Sequence, residues 1–424
     1  EHVVVAGADN CVTMATAGIT IDNVQIHLCK RGISAEFSGD LVVTNSFFEN
    51  NKDGIYGTLK NGKLTISGSS FSTTDVAKSL PSQRGINFQS LESVQLEVIG
   101  CHFTGISEDC ISITNAQDST FVFRESSFQS TYWGIYIYSY LAYQDGHSME
   151  VNVESCVFDG ASSAGIYYYD NYYDNVNVTN TIFENGGAAV SFNGRSSKSN
   201  KPLVFRNITS RDNREHVFVI DYFNGPITIE DSTFFRNKQY VLKMTAMTDA
   251  SIVIHGNTFL ENGRDGVISI ERTSVSEGVT PITSISQNMF VNNTVTYTGA
   301  VIVYKDIDHR SKLQCHENTF SNPESKYDFK AATAWKSGYQ LDASGNDWGS
   351  ADPFIITGRV LDFYQDVDNA EVLLNPAYFE GESITIGREF SMLEDNILGG
   401  RVDSDVELDY GVQEITVART IYIP

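Results

Sequence analysis

The stretch VTNSFFENNKDGIY, Val43 to Tyr56, decides the fold. Val43 is followed five positions later by Phe48, then by a polar turn, then by the Gly–aliphatic pair Gly54–Ile55. The same order recurs at Ile66/Phe71, Val98/Phe103, Phe123/Phe128, Val153/Phe158, Val178/Phe183, Ile229/Phe234, Ile254/Phe259, Ile285/Phe290 and Cys315/Phe320. Ile21/Ile26 and Phe205/Ser210 fit the same slots imperfectly. The second element returns as Gly85–Ile86, Gly134–Ile135, Gly165–Ile166, Ala189–Val190, Gly266–Val267 and Ala300–Val301. An anchor spacing of about 23 to 32 residues is the mark of stacked repeats.

Each repeat holds three short period-two runs separated by Asn, Asp, Gly and Ser, and helical periodicity is nearly absent. Three strands per unit predict a coil of three faces rather than a four-stranded propeller blade. The expected fold is all-β, a right-handed parallel β-helix of roughly eleven or twelve rungs spaced by about 4.8 Å, closed by a C-terminal cap. Asparagines after the Phe (Asn50, Asn185, Asn237, Asn262, Asn292, Asn322) suit tight left-handed turns. Longer spacers predict loops around 73–83, 140–148, 194–201, 272–281 and 306–311, where function concentrates. The expected organisation is a solenoid over 1–345, a capping segment over 346–379, and a connector that starts a following repeat over 380–424.

The 424-residue chain is 41% hydrophobic and carries a net charge of −24. That charge disfavours nucleic acid and anionic membrane as partners, because both are held by Lys and Arg. No run of 18 apolar residues appears, so this segment is not expected to insert into a membrane. A start at Glu1 reads as a mature form or an excerpt. Of six cysteines, Cys11 and Cys29 are the candidate disulfide, set against a reading as two buried thiols.

Two blocks are the most specific. Gly345-Asn346-Asp347-Trp348-Gly349, Asp352-Pro353, Gly358-Arg359-Val360-Leu361-Asp362 and Asn375-Pro376 resemble the closing segment of many secreted β-helix repeat proteins. LGGRVDSDVEL (398–408) and ITVARTIYIP (415–424) resemble the start of the next repeat in the bark beetle (anakonda) family of animal tricellular junctions. The resemblance implies an extracellular, multi-segment adhesive or scaffolding protein without known catalysis. The scavenger-receptor, lectin-like and membrane-spanning parts of that family are not in this sequence. A final strand that ends at Pro424 predicts that the natural polypeptide continues.

Several groups carry potential chemistry. Ser107-Glu108-Asp109-Cys110-Ile111-Ser112-Ile113 resembles one motif of the polygalacturonase family, whose other motifs are missing. Glu108 and Asp109 are therefore the catalytic candidates of an enzyme reading, polysaccharide lyase or polygalacturonase-like hydrolase. That reading requires a Lys or Arg converging within about 10 Å of them, and it competes with a plain acidic turn. No other cofactor is expected, but Asp362, Asp366 and Asp368 offer oxygen ligands for calcium, against a reading as a solvated acidic loop. Cys101, Cys110, Cys156 and Cys315 read as core thiols.

On the surface, Trp133, Tyr136, Tyr138, Tyr167 and Tyr169 alternate with inward aliphatics and predict an outward aromatic ladder, with Tyr140, Tyr143, Tyr172 and Tyr173 in the adjoining turns. Such a ladder serves a protein partner, self-association or a glycan, or pairs across strands for stability alone. Arg206, Arg211, Arg214, Arg236 and Lys238, with Arg195, Lys198, Lys201 and Lys243, form a candidate polyanion contact, set against a reading as solvated turn residues. Asn177, Asn207 and Asn292 head glycosylation sequons. The reading favoured by sequence is a non-enzymatic extracellular scaffold or adhesion segment of a larger protein. The alternative is a polysaccharide-active or glycan-binding β-helix.

Overall fold

The computed structural model describes residues 3–74, 83–139, 149–169, 174–194, 201–297, 299–334, 339–366 and 368–387. Tyr140, Tyr143, Tyr172, Tyr173, Arg195 and Lys198, the loop at 140–148, most of those at 73–83 and 194–201, and both connector blocks beyond residue 387 lie outside them.

The chain forms a right-handed parallel β-helix with three faces. Face A is a thirteen-stranded parallel sheet in strict chain order from Val3–Ala6 to Thr319–Ser321. Faces B and C carry the Gly–aliphatic strands and the strands that follow them, each pairing with its equivalent one coil later. Thirteen strands exceed the expected eleven or twelve because Val3–Ala6 makes a coil that has no Phe anchor.

The Phe slot is the spine. Phe48, Phe71, Phe103, Phe128, Phe158 and Phe183 are register partners on face A. Their rings stack 4.5–5.0 Å apart within 8° of parallel. Ser210 interrupts the stack, and Phe218 from face B fills the gap by packing edge-on against Phe234 at 5.7 Å. The stack resumes through Phe259, Phe290 and Phe320 and ends on Trp348 at 4.7 Å. Each such pair adds about 0.5–1.5 kcal/mol beyond its buried area.

The recurrent asparagines divide into two kinds. Asn50, Asn185 and Asn292 have positive φ (51–57°) and make the expected turns. Asn237, Asn262 and Asn322 point inward instead, in a buried ladder where each side chain bonds the coil beneath it. Asn262 Oδ1 accepts from Asn237 N, Asn293 Oδ1 from Asn262 N and Asn322 Oδ1 from Asn293 N, at 2.9–3.0 Å. A second ladder runs through Ser232, Asn257, Asn288, Asn318 and Asn346. Both satisfy backbone donors at corners where the sheets cannot. Asn262→Ala is expected to leave the Asn237 N–H without its acceptor and to take the side-chain donor from the Phe234 carbonyl, costing about 1–3 kcal/mol for the orphaned donor, checked by urea unfolding.

Cys11 and Cys29 are joined in a disulfide. The other four cysteines are buried thiols. Burial pushes Cys101 up to about 11, Cys156 and Cys315 up to about 12, and Cys110 upward as well.

Candidate functional site

Face B positions the candidate groups. On entering this face each coil places one residue immediately before its Gly–aliphatic pair, and these residues align along the axis. Arg31, Asp53 and Arg84 are register partners, as are Asp109 and Trp133. Three residues on, the outward column reads Tyr56, Asn87, Ser112, Tyr136, Tyr167, Ser191, Val219 and Lys243. Two further on it reads Thr114, Tyr138, Tyr169, Asn193, Asp221, Thr245 and Glu271.

The structure brings a cation to both sequence-predicted carboxylates. Arg84 Nη2 lies 2.6 Å from Glu108 Oε2 and Arg84 Nε lies 3.2 Å from Asp109 Oδ2. Asp109 is only 3% exposed, however, while the Glu108 side chain retains 32%. Burial pushes the Asp109 carboxyl above its ordinary range, opposed by Arg84 and by the Ser112 hydroxyl. One guanidinium thus occupies the pair, and only Glu108 is placed to reach a ligand. Sequence reading missed Arg84, which lies 25 residues before Asp109, although the Arg–Gly–Ile and Asp–Cys–Ile frames mark both for the same column.

Just beyond this cluster stands the aromatic ladder. Ile135 and Ile137 are fully buried and Ile166 nearly so, which turns the tyrosines outward. Tyr136 stacks on Tyr167 at 5.3 Å and Tyr138 on Tyr169 at 5.0 Å, with Trp133 4.8 Å from Tyr136 and 5.4 Å from Tyr167. Burial raises Tyr136 to about 12 and also raises Tyr167; like any tyrosine, both are protonated donors at neutral pH. The next coil carries Ser191 and Asn193 in the same columns, so the stack ends in a step.

Past the step a second polar group occupies the same face, of which the sequence marked only Lys243, as part of the basic cluster. Asp221, Thr245 and Glu271 share one column, and Lys243 lies in the adjoining one. The residues directly after them, Tyr222, Ala246 and Arg272, line a cavity of about 200 Å³ with Phe223, Asn224, Thr248 and Ser274. Burial pushes Asp221 above the ordinary carboxylate range and Glu271 adds to this, while the Thr245 hydroxyl, Lys243 and Arg272 oppose it. Ser269 Oγ donates to Glu271 Oε1 at 2.7 Å.

His216 lies nearby, 5.7 Å from Tyr240. Burial, then Lys243, pulls His216 down to about 4, against Asp265 and Glu271. Because the unfolded chain binds this proton below about pH 6.5 and the folded chain resists it, His216 favours folding above pH 6.5. That contribution is lost as pH falls toward 4. The urea midpoint of the native chain is expected to drop over this window more steeply than that of His216→Gln.

Other expectations change. Arg206, Arg211 and Arg236 are not an unpaired basic stripe, because carboxylates one coil away neutralise them: Glu230, Glu184 and Asp212 respectively. Arg214 turns to the Gly186 carbonyl, and Lys238 follows Asn237 in the turn after face A. Asp362 is fully buried rather than solvated, accepting from Tyr364 N at 3.2 Å and Val372 N at 3.0 Å, and Asp366 accepts from Asp368 N at 3.3 Å. No group of three His, Cys, Asp or Glu forms a metal site among the described residues. Asn207 and Asn292 are exposed turn residues, whereas Asn177 lies mid-strand with its amide on Asn152 at 3.1 Å.

A family model described as a right handed beta helix region matches residues 4–126. The chain carries a right-handed β-helix. Among solved structures, the crystal structure of the periplasmic alginate epimerase AlgG aligns with a TM-score of 0.26 at 11% identity, covering 84% of this chain and 74% of that one. No curated protein matches. Among the described residues, no helix of this β-helix is long and apolar enough to cross a membrane.

Proposed function

We propose that this β-helix is an extracellular polysaccharide-binding protein whose ligand lies on face B against the end of the aromatic stack. The observation that carries the reading is the step itself: Tyr167 and Tyr169 give way to Ser191 and Asn193 in the same columns, with Trp133 alongside. A sugar ring has one apolar face and a rim of hydroxyls. A ring wall above a floor of small hydrogen-bonding side chains meets both. The clusters on either side, Arg84 with Glu108 and Asp221 with Lys243, supply charged hydrogen-bonding groups along the same line.

The scaffold reading uses the same surface differently. Rings stacked on one another present edges and hydroxyls, which suit a protein partner or a second copy of the chain. The two readings separate in one comparison, in which immobilised neutral and uronic-acid polysaccharides, with and without calcium, are offered to the native chain and to Tyr167→Ala. Retention of the native chain, weakened about tenfold by the substitution, supports the glycan reading. No retention on any polysaccharide, together with self-association that the same substitution removes, returns the function to the scaffold.

A further inference from the structure

We infer that Asp221 and Glu271 form a catalytic carboxylate pair that hydrolyses the bound polysaccharide with inversion at the anomeric carbon. The inference rests on the glycan reading above and adds a reaction to it.

Position comes first. Asp221 pairs in register with Thr245, and Thr245 with Glu271, so the two carboxylates stand in one outward column, two coils apart. At about 4.8 Å per coil their backbones are separated by roughly 9.6 Å along the axis. Inverting glycoside hydrolases hold their two carboxyl groups about 6.5–9.5 Å apart, which leaves room for a water, whereas retaining ones need about 5–5.5 Å; side chains inclined towards each other over Thr245 would bring a two-coil backbone spacing into the wider range. Adjacent coils would suit the second class, and this pair skips one.

The surroundings match the demand. The column continues Tyr169 and Asn193, so a glycan seated at the step reaches Asp221 on the next coil. The cavity of about 200 Å³ opens at Tyr222, Ala246 and Arg272, one residue beyond each member of the column. Lys243 and Arg272 stand beside Asp221, close enough to oppose the effect of its burial, and supply positive charge to this part of the face. The two carboxyls also differ in environment. Asp221 is half-buried, and that burial raises its carboxyl against the Thr245 hydroxyl, Lys243 and Arg272, while Glu271 takes a hydrogen bond from Ser269. Divergent environments of this kind assign the roles of acid and base.

In the proposed step, Asp221 gives its proton to the glycosidic oxygen as the bond from that oxygen to the anomeric carbon breaks. A water on the opposite face attacks that carbon and yields its proton to Glu271. The products are two shorter glycans with the new reducing end inverted, and solvent returns the proton from Glu271 to Asp221.

The test uses those polysaccharides that the native chain retains, and follows new reducing ends and, by proton NMR, the anomer first formed. Asp221→Asn and Glu271→Gln keep shape, and circular dichroism with thermal unfolding checks that each folds. The expected result is turnover by the native chain giving the inverted anomer, lowered about 10²–10⁴-fold in each folded variant, by more than any accompanying loss of retention. Retained ligand with no turnover by the native chain, a retained anomer, or full activity in both folded variants overturns the inference and leaves the binding reading standing. Absence of binding to every polysaccharide overturns both.

Discussion

Arg359→Ala is expected to lower the unfolding free energy by about 3–5 kcal/mol, the cost of stranding a buried charge. The charge is Asp328, whose side chain is fully buried beneath the last coils. Arg359 Nε meets Asp328 Oδ2 at 2.7 Å, Nη2 donates to the Asn322 carbonyl at 2.6 Å and Nη1 to the Ser325 carbonyl at 3.1 Å. Asn322 Nδ2 in turn donates to Asp328 Oδ1 at 2.9 Å. One guanidinium therefore terminates the inward asparagine ladder, as Asn346 terminates the other by donating to the Cys315 and Ala343 carbonyls. Without Arg359 the carboxylate keeps only the Asn322 amide. Burial already pushes Asp328 above the ordinary carboxylate range, with Arg359 opposing, so the variant should recover part of its deficit as pH falls and the carboxyl protonates. Arg359→Lys keeps a charge but not the planar fork and should fall between the two. Urea titrations at pH 7 and pH 5 check the size and the sign. Arg359→Ala as stable as the native chain at pH 7 would mean that water reaches Asp328.

The order of what sequence reveals follows from the range of each signal. The Phe slot and the Gly–aliphatic pair are local, and every coil repeats them, so face A, the inward Ile135 and Ile166 and the outward tyrosines are all legible. The Cys11–Cys29 bridge was legible as a preferred pair. Glu108 and Asp109 were legible as a motif, but their burial and their shared Arg84 were not, because insertions of variable length hide which residues of successive coils align. Asp221 and Glu271 are harder still: they lie fifty positions apart, and only the register puts them in one column. The basic cluster shows the reverse case. Arg206 and Arg211 look clustered in sequence but sit on faces C and A, each beside an acid of another coil.

Phe158→Ala is expected to cost about 3–5 kcal/mol, as for other buried aromatics, and Gly134→Ala about 1–3 kcal/mol by overpacking. The two are linked by one contact. Phe158 is stacked between Phe128 at 4.5 Å and Phe183 at 4.9 Å and is 1% exposed, so truncation removes two ring contacts and opens a void in the spine. A methyl group added at Gly134 would meet Phe158 Cδ1 at 2.6 Å and the Gly165 carbonyl oxygen at 2.5 Å. The first clash is with a ring that the Phe158 substitution deletes, and the second is with backbone that cannot turn away. In the double variant the methyl enters the space the ring has left, so the combined loss should fall short of the sum by about 0.5–2 kcal/mol, within the range of contacting pairs. Gly134 is flanked by Trp133 and lies two residues before Tyr136. Any backbone shift that relieves the clash therefore moves the aromatic stack, and glycan retention should weaken in Gly134→Ala more than its stability loss alone implies. A four-variant cycle by urea unfolding, with retention measured in parallel, reads both effects. Strict additivity would show that the carbonyl of Gly165, and not the ring, is what excludes a side chain at position 134.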